Sequence, residues 1–227
     1  MKGLTEMIGR LIGLGPVSGW RRKTVTTREE LIRFLAAEAA FTVQKTAYGY
    51  CRARVGRQQD KLVSEPEFIA RMEPCRWQTA AAVLADMLLW WLAGLPAGAD
   101  RLRRQVPELY ADALTALGSP PQAVGPEFHP AACSAFARRL DQPLPDRADI
   151  KAAFDPGFRV LLDTLPFNRD LVDWDAAQIR HTFRLWVVHH CDRQGRMLMA
   201  DSLMTALLAG DGAEEGVRHG SGVAARA

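Results

Sequence analysis

Apolar residues recur at the spacing of α-helices along most of this 227-residue chain. No stretch alternates apolar and polar residues with a period of two for long enough to predict a β-strand. The pattern therefore predicts an all-α fold, an irregular multi-helix bundle of about eight helices. A short amphipathic segment is expected at the N-terminus, and a disordered tail rich in Gly and Ala is expected over residues 210–227.

Capping signals place the helices of the first half. Thr27 and Glu30 form a capping box ahead of a long amphipathic run, predicted from about Arg28 to Val55 and closed by Gly56. A second capping box at residues 64–67 predicts a short helix, and a separate helix is expected to begin at Glu73 and Pro74.

The most apolar stretch is Thr79–Leu95, which Asp86 alone interrupts with a charge. Seventeen residues is short for a membrane span, and a central aspartate costs about 2.5–3.5 kcal/mol on insertion. We therefore predict a buried core helix, packed against the helices expected at residues 28–55 and 174–192.

Shorter helices and more proline mark the second half. Asp173 is the expected N-cap of the helix that begins at Trp174, and Gly195 is expected to separate that helix from the last one. The predicted helices are, in order, Pro107–Leu117, Ala131–Leu140, Arg147–Leu165 with a break at Asp155-Pro156-Gly157, Trp174–Asp192 and Arg196–Ala209.

The chain divides most clearly at a Pro-rich stretch over residues 119–126. This stretch is either a linker between two subdomains or a long loop in one bundle. The predicted organisation is an N-terminal segment at 1–25, helical subdomains at 26–118 and 127–209 on either side of the linker, and the tail at 210–227.

The N-terminal segment has no local structural role in the predicted bundle. Its apolar residues recur at helical spacing, and its two glycines make it too weak to form a helix alone in water. We predict that it binds a partner protein or an anionic membrane surface, with docking on its own core as the alternative. The predicted binding residues are Met7, Ile8, Leu11, Ile12, Arg21, Arg22 and Lys23.

Charge and cysteine content add a cellular context. Residues 1–60 hold 11 Lys and Arg against five Asp and Glu, whereas the whole chain carries only +3. The small net charge and the lack of any recognition motif argue against nucleic acid as a partner. The four cysteines are widely spaced, which favours a reducing cytoplasm over a disulfide framework, and no secretory signal is expected. Arg far outnumbers Lys, as in GC-rich bacterial genomes.

Catalytic and ligand-binding motifs are missing from the sequence. There is no G-x-S-x-G, Walker A, G-x-G-x-x-G or H-E-x-x-H, and we predict no cofactor and no metal. Asp170, Asp173 and Asp175 form an acidic cluster best explained by helix capping. Cys51 precedes two arginines that could stabilise its thiolate, although an inert buried thiol is the commoner outcome.

The sequence therefore favours a non-catalytic accessory or assembly protein that binds another macromolecule, with the cytoplasmic membrane face as one location. The alternative is a helical enzyme or cofactor-binding protein with a pocket between its two halves. His190, Cys191 and Asp192 are the polar lining that this alternative requires, with His190 expected on the core-facing side of its helix.

Overall fold

A computed structural model describes residues 24–56, 65–95 and 100–197. These residues form α-helices, one π-helical segment and connecting turns, and they contain no β-strand beyond a single bridge residue at Val25. The prediction of an all-α fold is confirmed. The elements are α1 (Arg28–Val43), a π segment (Gln44–Tyr48), α2 (Gly49–Val55), α3 (Pro66–Leu92), α4 (Asp100–Ala116), α5 (Phe128–Leu140), α6 (Ile150–Ala153), α7 (Asp155–Thr164) and α8 (Arg169–Met197).

The first helical rod follows its local signals closely. The Thr27 side chain accepts a hydrogen bond from the Glu30 backbone N–H at 3.2 Å, and the Glu30 carboxylate bonds back to Thr26. The rod ends at Gly56, whose φ of 59° suits glycine. The π segment joining α1 to α2 contains Thr46, whose hydroxyl donates to the Thr42 carbonyl at 2.7 Å. If this π-linked rod is counted once, the described residues form seven helices.

Two prolines that were expected to start helices lie inside them. α3 runs unbroken through Pro74, so the predicted separation of a short helix from the core helix is wrong. Glu73 spans the turn at Pro74 by accepting hydrogen bonds from Arg76 and Trp77. α4 likewise begins seven residues before Pro107, because Leu102 and Val106 extend its buried stripe.

The start of α3 carries no side-chain cap. Glu65 occupies the cap position and makes no capping hydrogen bond there. Ser64, the predicted capping residue, lies outside the described residues.

Three further boundaries differ from the predictions. α5 begins at Phe128 rather than Ala131, and the interruption predicted at Asp155 lies one residue earlier, at Phe154 between α6 and α7, with Pro156 in the first turn of α7. α8 begins at Arg169 and continues through Gly195 to Met197, so neither Asp173 as N-cap nor Gly195 as a helix break is correct. The predicted final helix lies largely beyond the described residues.

The central helix of the bundle is α3. It packs most extensively against α7 and then against α1, whereas α8 packs mainly against the π segment, α7 and α1. The predicted pairing of the core helix with α1 is confirmed, and the predicted pairing with α8 is wrong. None of the described helices is sufficiently long and apolar to span a bilayer. The apolar side of α3, including Trp77, Trp90 and Trp91, is buried in the core.

Residues from both sides of the stretch at 119–126 contribute to one hydrophobic cluster. The stretch itself forms turns between α4 and α5. The division into two subdomains stays a prediction.

Candidate functional site

A pocket of about 530 Å³ lies between α3, α5 and α7. It exists because two helices present alanines where larger side chains would close the gap. The spacing is identical on both helices: Ala81, Ala82 and Ala85 on α3, and Ala131, Ala132 and Ala135 on α5. The pocket lies within the volume range typical of small-molecule sites.

Aromatic and aliphatic side chains complete its lining. Tyr110 of α4 stacks on Phe136 with ring centroids 4.2 Å apart, and its hydroxyl donates to the Ala81 carbonyl at 3.1 Å. Pro156 and Val160 contribute from α7. The Tyr110 hydroxyl thus makes its hydrogen bond to the backbone of α3. This side of the pocket is therefore apolar.

Charged groups lie at opposite ends of α5. Glu127 precedes its first turn and Arg139 lies in its last turn, and both line the pocket. Twelve residues of helix separate them, which corresponds to about 18 Å along the axis. The pocket therefore has an acidic end and a basic end.

Arg139 contacts a carboxylate that is completely buried. Asp86 lies in the middle of α3 with 0 % of its surface exposed. Its Oδ1 accepts a hydrogen bond from Arg139 at 2.6 Å, and its Oδ2 accepts one from the Gly157 backbone N–H at 2.9 Å. The Arg139 side chain is 25 % exposed, so the ion pair joins the core to the pocket.

Burial dominates the protonation of this carboxyl. It raises the pKa of Asp86 to about 7, although Arg139 and the Gly157 N–H act in the opposite direction. Asp155 adds a smaller raising effect and is itself paired with Arg159 and Arg180. The Asp86 carboxyl therefore changes between its protonated and its ionised form near neutral pH.

Gly157 allows α7 to approach Asp86 closely. A Cβ atom at this position would lie 2.5 Å from the Asp86 Oδ2 and 3.1 Å from a methyl carbon of Val83. A larger residue would thus displace either the carboxylate or the start of α7.

The residues predicted to line a pocket near α8 are arranged differently. His190 is fully buried, Cys191 is largely buried, and Asp192 is exposed. Burial raises the pKa of the Cys191 thiol to about 12. None of the three lines the alanine pocket, although that pocket does lie between the two halves of the chain.

His190 belongs to a second buried polar cluster, which also contains Glu38 and Arg193 and is called the Glu38 cluster. The His190 Nδ1 lies 3.2 Å from the Glu38 carboxylate, which also accepts a hydrogen bond from Arg193. His190 stacks against Phe34. Its Nε2 and both amide atoms of Gln194 are buried, and no hydrogen-bond partner is found for them among the described residues.

The acidic cluster and Cys51 have structural roles. Asp175 accepts hydrogen bonds from Tyr50 at 2.8 Å and from Arg54, which joins α8 to α2 instead of capping a helix. Asp173 pairs with Arg169 within α8. Cys51 is fully buried, and burial raises the pKa of its thiol well above the usual range, which agrees with the interpretation of an inert buried thiol.

The predicted N-terminal binding residues, from Met7 to Lys23, lie outside the described residues. The chain enters the described region beside the end of α8, where the Val25 N–H donates to the Met197 carbonyl at 2.9 Å. Within the part of the chain that the structure describes, no three His, Cys, Asp or Glu side chains come together as a metal site.

The alanine pocket was not predicted from the sequence. Its signal was the repeated alanine spacing on two predicted helices, together with an aspartate in the most apolar run.

Comparison of the chain with protein-family models, curated proteins and solved structures gives no match in any of the three.

Proposed function

We propose that this protein is a non-catalytic binding protein that holds a small apolar ligand in the alanine pocket. The observation that carries the proposal is an apolar space of about 530 Å³ with few polar groups at its edge. Such a lining supplies binding energy of about 0.8 kcal/mol for each methylene group that it removes from water. None of the described lining residues is a serine, cysteine or histidine, the side chains that most often act as nucleophiles or general bases.

The test is titration with the neutral fluorophore N-phenyl-1-naphthylamine. We expect its emission to rise with the wild type and its affinity to fall at least tenfold in Ala132→Trp, because the indole would occupy the pocket. Ala137→Trp is the matched control, since Ala137 is exposed on the same helix and does not line the pocket. Equal affinity of both variants and the wild type would contradict the proposal.

A second proposal keeps the sequence-based interpretation of an accessory protein that binds another protein chain. Trp174 is 85 % exposed, and Leu185 and Val188 are also exposed. All three lie within about 60° on one side of α8. A second copy of the chain is the proposed partner, because two antiparallel copies of α8 would place Trp174 of one against Leu185 and Val188 of the other.

Sedimentation velocity tests the second proposal on the full chain. The wild type should contain dimers that dissociate in Trp174→Ser/Leu185→Ser, whereas Ala137→Ser, at an exposed position on α5, should leave them intact. A wild type that is monomeric at high concentration would contradict it.

A third proposal is that residues 1–25 bind the cytoplasmic face of an anionic membrane. Anionic vesicles should co-sediment with the wild type at low salt, and less so with Ile8→Asp/Leu11→Asp or with charge reversal at Arg21, Arg22 and Lys23. Recovery of all three proteins in the supernatant would overturn it.

A further inference from the structure

We infer that the ligand of the alanine pocket is an elongated aliphatic molecule with a carboxylate head, and that Arg139 binds this head. The inference rests on the proposed function, which requires only that the pocket bind an apolar molecule. Three features of the pocket support it: its shape, the distribution of its charges and the buried partner of Arg139.

The shape favours a linear chain. The pocket follows α5 from Glu127 to Arg139, about 18 Å along the helix axis. Six of the fifteen lining residues are alanines, and they are spaced along α3 and α5, where their small side chains leave room for a ligand. An alkyl chain of about ten to twelve carbons can lie along such a path and exchange water contacts for methyl contacts.

The charges orient the chain. Arg139 has five N–H donors, and its guanidinium makes one hydrogen bond within the described part of the chain, to Asp86. A carboxylate is the natural acceptor for the remaining donors because it can accept two of them side by side. Glu127 at the opposite end repels an anion, so the head is expected at Arg139 and the methyl end towards Glu127.

The buried partner links binding to protonation. A ligand carboxylate competes with Asp86 for Arg139, and Asp86 can respond by taking up a proton. The groups that face Asp86 are Arg139 from α5, the Gly157 N–H and Asp155 from α7, and Tyr110 from α4. Burial raises the pKa of Asp86 to about 7, so this uptake needs little free energy near neutral pH.

The first test compares three ligands on the wild-type protein below their micelle-forming concentrations: dodecanoate, dodecanol and dodecylamine. Each displaces N-phenyl-1-naphthylamine at pH 7. We expect dodecanoate to bind at least tenfold more tightly than dodecanol, which corresponds to about 1.4 kcal/mol, and dodecylamine to bind most weakly. Equal binding of dodecanoate and dodecanol would overturn the assignment of the head while leaving the proposed function intact.

The second test uses variants. Arg139→Gln should remove the preference for dodecanoate over dodecanol, and Arg138→Gln should keep it, because Arg138 is exposed on the same helix and does not line the pocket. If Arg139→Gln fails to fold, Asp86→Asn takes its place. Asp86→Asn leaves Arg139 without a competing carboxylate and should bind dodecanoate more tightly than the wild type at pH 8.

The third test is the pH dependence. The wild type should bind dodecanoate several-fold more tightly at pH 6 than at pH 8, whereas Asp86→Asn should show no such change. An affinity of the wild type that is constant over this range would overturn the competition between the ligand and Asp86. Failure of all three ligands to displace the bound fluorophore would overturn the inference, whereas failure of the fluorophore itself to bind would contradict the proposed function.

Discussion

Asp86 and Glu38 are both buried carboxylates that pair with an arginine, and their surroundings differ. Asp86 pairs with Arg139 at the edge of the alanine pocket, and Glu38 pairs with Arg193 and His190 between α1 and α8. Both carboxylates are at most 2 % exposed. Asp86 has an arginine that lines a large apolar space, whereas neither Glu38, His190 nor Arg193 lines that space.

The comparison shows that a buried ion pair does not by itself indicate a binding site. The charged groups of the Glu38 cluster join α1 to α8. Removing Glu38 would leave the Arg193 guanidinium without its partner. In the Asp86 pair, Arg139 donates one hydrogen bond to Asp86, and the Asp86 carboxyl can become neutral by taking up a proton. These differences predict different responses to the same kind of substitution.

The largest effect is expected for Glu38→Gln. It removes the charge that balances Arg193 inside the protein, at a cost of about 3–5 kcal/mol in the free energy of unfolding. The melting temperature should therefore fall by roughly 6–20 °C. Glu29→Gln on the exposed side of α1 is the control and should change it little. A decrease no larger than in this control would show that the cluster does not stabilise the fold.

Asp86 should make stability depend on pH in the opposite sense to an ordinary ion-paired carboxylate. Its pKa is raised from 3.8 to about 7, so the folded protein holds a proton that the unfolded chain releases. Stability should fall as pH rises from about 4 to about 7, by about 4 kcal/mol, and then level off. Urea unfolding should show that Asp86→Asn lacks this contribution. Parallel pH profiles of the wild type and the variant would contradict the raised pKa.

Two glycines provide a matched test of how closely α7 approaches Asp86. Gly157→Ala should destabilise by about 1–3 kcal/mol, because its Cβ meets the Asp86 carboxylate at 2.5 Å. Gly195→Ala should stabilise by about 0.5–1 kcal/mol, because its Cβ in α8 meets nothing within 4 Å and alanine favours helix. Thermal unfolding measures both, and effects of the same sign would be inconsistent with the close approach at Gly157.

A small effect is also expected at Gln194, which follows Arg193 in α8. Gln194 is 2 % exposed, and neither of its amide atoms has a hydrogen-bond partner within the described ranges. Gln194→Leu should stabilise the protein by about 1 kcal/mol, because it removes two unsatisfied polar groups at similar volume. Loss of stability would mean that the amide bonds to a group outside those ranges.

Local signals in the sequence predict some of these features and not others. The rod at residues 28–55 was predictable because its capping box and terminal glycine act within a few residues. Pro74 and Pro107 misled the prediction because tertiary packing holds a helix together across a missing N–H. Leu102 and Val106 are buried in the core, and this burial stabilises the part of α4 that precedes Pro107.

The candidate site could not be predicted from local sequence signals, because it depends on contacts between residues that are distant in the chain. The position of Asp86 in an apolar run is visible in the sequence, but its partners lie 53 and 71 residues away. The alanine spacing is visible too, and only the fold brings the two sets together. His190 was correctly expected to face the core, whereas its pairing with Glu38 across 152 residues was not foreseeable.

Methyl spectroscopy tests the central claim, that ligand binding occurs beside Asp86 and not beside Glu38. In protein labelled at the alanine methyl groups, dodecanoate should shift the signals of Ala82, Ala132 and Ala135, which line the pocket. The signals of Ala36 and Ala39, which flank Glu38 on α1, should stay in place. Shifts confined to Ala36 and Ala39, or no shifts at saturating dodecanoate, would contradict the account.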